Sequence, residues 1–222
     1  MTIQELEKIF EANKNLAQAQ KMKKYLRNQF EFLGIAKPRR ALLEKDFIKS
    51  HKNDELKAIM LLVKELHQKS YREYMYTAQI LLLTVYKRLT IKEIYEVTSL
   101  TVINAWWENT DGYNAIIKRW LKLNPQYIEQ YVKTYYQEDN LWLRRIAIIC
   151  QLSLKDTTDF PILTLAIQEN INDQEFFIQK AIGWALRDYS KFNLNVVQQF
   201  MQENETKLSK LAIKEGSKYL KI

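Results

Sequence analysis

The sequence predicts an all-α protein of stacked antiparallel helical hairpins, and three observations carry that prediction. Only four Gly and three Pro occur in 222 residues, too few for the turns that many short strands require. Apolar residues recur at i, i+3, i+4 and i+7 along most of the chain, the period of an amphipathic helix. Residues able to open a helix fall at near-regular intervals, at roughly 54, 70, 90, 112, 125, 139, 159, 173, 194 and 206.

Each element has its own signal. Thr2 and Glu5 form a capping box, in which each side chain can satisfy the other's backbone NH, and open the first helix. Met22 to Arg27 reads as an amphipathic basic helix. Asp54 is placed to cap a helix through Leu56, Ile59, Met60, Val63 and Leu66; Ser70 and Thr90 are placed to cap the next two. Asn124-Pro125 and Phe160-Pro161 put Pro in a first turn, where its missing NH costs nothing. Asp139, Asp173 and Thr206 precede the last strongly periodic sets, and Gly216 interrupts a helix that the basic end of the chain is expected to continue. Helices of about 10 to 17 residues with short connections suggest one HEAT-like repeat domain over 1–222, a solenoid with a concave side. A globular bundle is the alternative, because periodicity does not fix how hairpins stack.

Composition narrows the function classes. The chain carries 34 Lys and Arg against 26 Asp and Glu, a net +8. Ten of the cations but only three acids lie between Gln20 and Lys52, so that window alone contributes +7. A solvated basic face is one reading. The other is attraction to a polyanion, with nucleic acid favoured over membrane because no long Trp- or Leu-rich anchor accompanies the charge. No signal-peptide pattern opens the sequence and no apolar run approaches ~18 residues, so a cytoplasmic protein is expected.

The usual catalytic residues are scarce. His51 and His67 sit in Lys-rich settings and read as surface residues; Cys150, within Ile146-Ala147-Ile148-Ile149-Cys150, reads as a buried structural thiol. CxxC, HExxH, P-loop and GxGxxG patterns are all missing, so neither a metal nor a cofactor is expected. What stands out is Trp106-Trp107-Glu108-Asn109-Thr110-Asp111. On a helix, Trp107 and Asp111 share one face, an indole beside an anion, which suits a cationic ligand or a developing positive charge. Were that face buried, Asp111 would need a partner in the core.

That cluster, with Tyr25-Leu26-Arg27-Asn28-Gln29-Phe30 and the following Gly34-Ile35, Asn140-Leu141-Trp142-Leu143-Arg144-Arg145, and Phe176-Phe177 through Gly183-Trp184-Ala185-Leu186-Arg187, resembles the AlkD family of bacterial DNA-alkylation-repair glycosylases. The resemblance runs from about residue 20 to the end. It implies HEAT-like repeats whose concave face binds duplex DNA, and excision of cationic N3- and N7-alkylpurines from DNA that stays stacked. By motif position it implies that Asp111 is the catalytic carboxylate and that Trp107 and Trp184 pack against the lesion's deoxyribose. It further implies that Arg145 faces the DNA backbone and that Tyr25 lies at the groove, with Trp106, Trp142 and Arg187 in support. The resemblance also implies a helix after Gly34-Ile35 that approaches the minor groove, matched here by Pro38 to Ser50, with Arg39, Arg40, Lys45 and Lys49 available to phosphates. A monomer acting on duplex DNA is the expectation; a non-catalytic HEAT-like module that binds nucleic acid or protein is the alternative.

Overall fold

A computed structural model describes residues 1–220 of the chain; those residues contain fourteen α-helices and no strand. They divide into two compact units, Met1–Leu89 and the chain from Thr90 onward. Among the described residues no helix is long and apolar enough to cross a membrane.

The first unit comprises α1 (Ile3–Ala12), α2 (Leu16–Tyr25), α3 (Lys37–Leu43), α4 (Lys45–His51), α5 (Leu56–His67) and α6 (Arg72–Val85). Thr2 caps α1 as a full box: its hydroxyl accepts from Glu5 N at 3.2 Å and its own NH donates to Glu5 at 2.7 Å. Phe10, Phe47, Ile59, Leu66, Leu81 and Leu82 are completely buried, so the periodic positions of α1, α4, α5 and α6 form its core. Between α2 and α3 the chain is pinned by a buried carboxylate. Glu73 of α6 accepts from the backbone NH groups of Leu33, Gly34 and Ile35 at 2.8–3.1 Å. Gly34 adopts φ +87, and a Cβ there would stand 2.0 Å from the Asn15 carbonyl oxygen, so no other residue fits this turn.

The segment 38–50 is not one helix. It bends at Glu44, whose side chain turns inward, giving the short helices α3 and α4.

The second unit comprises α7 (Ile91–Ser99), α8 (Trp107–Leu123), α9 (Ile128–Tyr135), α10 (Leu141–Ile149), α11 (Phe160–Asn170), α12 (Phe176–Ser190), α13 (Leu194–Glu203) and α14 (Lys210–Gly216). Helix α10 is central, packing against α8, α9, α11 and α12, while α12 also packs on α13 and α14. Ile146 to Cys150 are wholly buried, and burial pushes the Cys150 thiol up to about 12, which keeps it an unreactive thiol.

Several boundaries differ from expectation. Thr90 caps α7 with a box to Glu93, as its spacing predicts. At two helices a neighbouring polar residue takes the cap: Asn140 rather than Asp139 receives Trp142 N, and Ser209 rather than Thr206 receives Ala212 N. Asp54 and Asp173 make other contacts, with His51 and Arg144 respectively, and Ser70 yields to Tyr71 at the start of α6. Helix α8 begins at Trp107 instead of near 112, so the Trp-Trp cluster is its first turn. His67 is buried, 2% exposed, and His51 is half-buried; neither is the surface residue that Lys-rich surroundings suggest. After Gly216 only a 3-10 turn, Ser217–Tyr219, follows α14; a helical continuation into Lys221 and Ile222 lies outside the described residues.

Candidate active site

Asp111 sits on the first turns of α8, one turn beyond Trp107, and both side chains are half-buried. Helix α8 is fixed from two sides. The Asn109 amide donates to the Leu100, Thr101 and Ile103 carbonyls at 3.2–3.4 Å, holding the preceding turn, and Asn114 donates to the Ile149 carbonyl of α10 at 2.9 Å. The N-terminal end of α8 also joins an aromatic cluster in which Trp106, Trp142 of α10 and Phe177 of α12 lie with ring centroids 5.1–6.1 Å apart. Three helices are thus locked beside one carboxylate.

Arg145 of α10 holds that carboxylate. Its Nη2 donates to both Asp111 oxygens, at 2.8 and 3.1 Å, and its Nε to Oδ1 at 3.2 Å. Its Nη1 donates to the Phe177 carbonyl of α12 at 2.8 Å, so the guanidinium bridges α8, α10 and α12. The Arg145 side chain is 4% exposed and that of Asp111 23%. The resemblance implies an arginine facing the DNA backbone; in this structure Arg145 is engaged within its own unit. Its rigid fork is spent on a carboxylate and a carbonyl within its own unit. Burial raises the Asp111 pKa above the ordinary carboxylate value, and the neighbouring Arg145 charge and hydrogen bonds oppose that rise.

Trp184 is half-buried on α12, seven residues and about two turns beyond Phe177 on the same face. Arg187 lies on the α14 side of α12, where Glu215 accepts from it at 2.6 Å and from Lys180 at 3.3 Å. Phe177, which contributes both a ring and the carbonyl that anchors Arg145, is a site residue that sequence reasoning missed. Its aromatic side chain was visible, but a backbone acceptor has no sequence signal.

The residues in the first unit are placed as follows. Tyr25 ends α2 and is 71% exposed; Arg39, Lys45 and Lys49 are also exposed, with Arg39 donating to Asn13 at 2.7 Å. Arg40 is different. It is 6% exposed, with Nε 3.3 Å from Glu44 and its guanidinium over the Tyr76 ring, so it is a core ion-pair residue and not a free phosphate contact. Among the described residues no group of three or more His, Cys, Asp or Glu is arranged to hold a metal ion.

Residues 6–220 match the model of a family described as DNA alkylation repair enzyme. The chain is similar to the structure of a predicted DNA alkylation repair enzyme from Enterococcus faecalis, with 36% identity, 94% of this chain and 97% of that one covered, and a TM-score of 0.90. It also shares its fold with AlkD2 from Streptococcus mutans, at 20% identity over 84% of this chain and 99% of that one, with a TM-score of 0.61. Among curated proteins none matches.

Proposed function

Because the chain belongs to the DNA alkylation repair enzyme family, we propose that it is a monofunctional DNA glycosylase that releases cationic N3- and N7-alkylpurines from duplex DNA, with Asp111 as the catalytic carboxylate. The observation that carries this reading is the Asp111 carboxylate held by Arg145 one turn beyond the Trp107 indole.

The chemistry suits so spare a site. A purine alkylated at N3 or N7 already bears positive charge, so it leaves as a neutral base and needs no acid to protonate it. As the glycosidic bond lengthens, positive charge develops on the sugar instead. A fixed carboxylate and electron-rich indole faces stabilise that charge more than they stabilise the ground state, which is the condition for lowering the barrier. Asp111 then orients the water that attacks C1′. Trp107 and Trp184 are proposed to flank the sugar. Tyr25, Arg39 and Lys45 are proposed to hold the duplex, with Trp106, Trp142 and Arg187 supporting the helices that carry the site.

Arg145 is a positioning residue in this scheme. Anchored by the Phe177 carbonyl, it fixes the Asp111 carboxylate and favours its ionised form. The same pairing also favours a second reading, a non-catalytic module in which Asp111 is only a structural ion-pair partner.

Release of N7-methylguanine from methylated duplex DNA separates the two. Release by the wild type, lost in Asp111→Asn, is expected; duplex binding without any release would establish the module instead.

A further inference from the structure

Helix α8 carries a second charged residue on the Asp111 face. Lys118 is seven residues further on, about two turns and ~10 Å along the helix, and so projects to the same side. It is half-buried, and the carboxylates that act on it are Asp188 of α12 and Asp111. Burial and the adjacent Arg119 hold its pKa below the ordinary lysine value, while those two carboxylates push the other way.

Neither carboxylate binds it. The Asp111 oxygens are taken by Arg145; Asp188 accepts the Ser153 NH at 2.6 Å and pairs with Lys191 at 3.7 Å. Among the described residues Lys118 makes no hydrogen bond or ion pair. Its neighbours behave differently. On α10 and α12 every Arg and Lys holds a carboxylate: Arg144 holds Asp173, Arg145 holds Asp111, and Arg187 and Lys180 share Glu215.

A half-buried ammonium has three donors to satisfy, and leaving them without acceptors costs free energy. In this unit the two carboxylates that act on Lys118 are engaged elsewhere, so its ammonium is left to water in the free protein and is open to an acceptor brought by a ligand. An anionic, compact acceptor gains most from such a point charge, and the non-bridging oxygens of a phosphodiester fit that description. We propose that Lys118 grips a backbone phosphate of the DNA strand that passes Asp111, and so extends the site along α8 beyond the reacting sugar. This rests on the reading that the α8 face receives DNA.

The test uses the full chain and an undamaged duplex, with affinity measured across a range of salt concentrations. Lys118→Met keeps the apolar stem and removes the charge. It is expected to weaken binding about four- to eightfold at 0.1–0.2 M salt and to reduce the slope of log K against log salt by about one. Lys118→Arg is expected to retain the slope. On alkylated duplex, Lys118→Met should raise KM and leave kcat nearly unchanged.

An unaltered slope in a Lys118→Met variant that keeps the wild-type Tm overturns the proposal, as does a loss confined to kcat. If the wild type binds with the Lys118-dependent slope but releases no base, the glycosylase reading fails and the phosphate contact stands.

Discussion

At Asp111 two influences oppose each other, and their balance makes a pH prediction. Burial is the larger and raises the pKa; Arg145 lowers it. Only the ionised carboxylate stabilises a cationic sugar, so base release should fall as pH drops through the Asp111 pKa. That acid limb should lie above the ordinary Asp value of about 3.9. Removing Arg145 removes the main lowering influence, so in Arg145→Met the limb should move to higher pH. Measuring kcat against pH for both proteins tests this, and an unmoved limb in a folded Arg145→Met variant would show that Arg145 does not act through Asp111. The Trp107–Asp111 spacing was legible in the sequence because four residues are one helical turn. The Arg145 role was not, since its two partners lie 34 and 32 residues away and one is a backbone carbonyl.

Whole helices are placed by contacts that a single methyl group can disturb. Gly183 lies where α12 meets α14, and a Cβ there would stand 2.5 Å from Glu215 Cβ and 2.9 Å from the Ala212 carbonyl oxygen. Backbone cannot give way as a flexible side chain does, so Gly183→Ala should push α14 outward and lengthen the Glu215 pairs with Arg187 and Lys180. Overpacking of this kind costs about 1–3 kcal/mol, to be read as a lower Tm; an unchanged Tm would mean that α14 yields freely. The aromatic cluster gives a larger effect. Trp142→Ala would empty the space between Trp106 and Phe177, at a cost of about 3–5 kcal/mol, with chemical denaturation as the measurement. At this scale the apolar periods located the helices well, because burial of Ile59, Val63 and Leu66 or of Ile146 and Ile149 follows directly from 3.6 residues per turn. Helix ends were less legible. Where Asp139 and Asn140 compete to cap α10, final backbone geometry decides between two side chains of similar capping strength.

Across the whole molecule, charge and chemistry are divided. The window 20–52 that holds +7 of the net charge lies in the first unit, and Trp107, Asp111, Arg145 and Trp184 lie in the second. On the proposed reading, most of the salt sensitivity of binding should therefore come from residues remote in sequence from those proposed to act on the sugar. Adjacent arginines allow a sharp test, because sequence treats them alike and the structure does not. Exposed Arg39 is free to reach a phosphate by releasing one hydrogen bond to Asn13, whereas Arg40 is buried against Glu44. Burial raises the Glu44 pKa, opposed first by Arg40 and then by the Thr77 hydroxyl, which donates at 2.7 Å. Arg39→Ala should lower the salt slope of duplex binding by about one and leave Tm near the wild-type value. Arg40→Ala should strand a buried carboxylate, costing about 3–5 kcal/mol in a Tm measurement, while the slope of the folded fraction stays unchanged. The reverse pattern, a slope change in Arg40→Ala with no loss of stability, would mean that the α3–α4 bend opens on DNA and turns Arg40 outward.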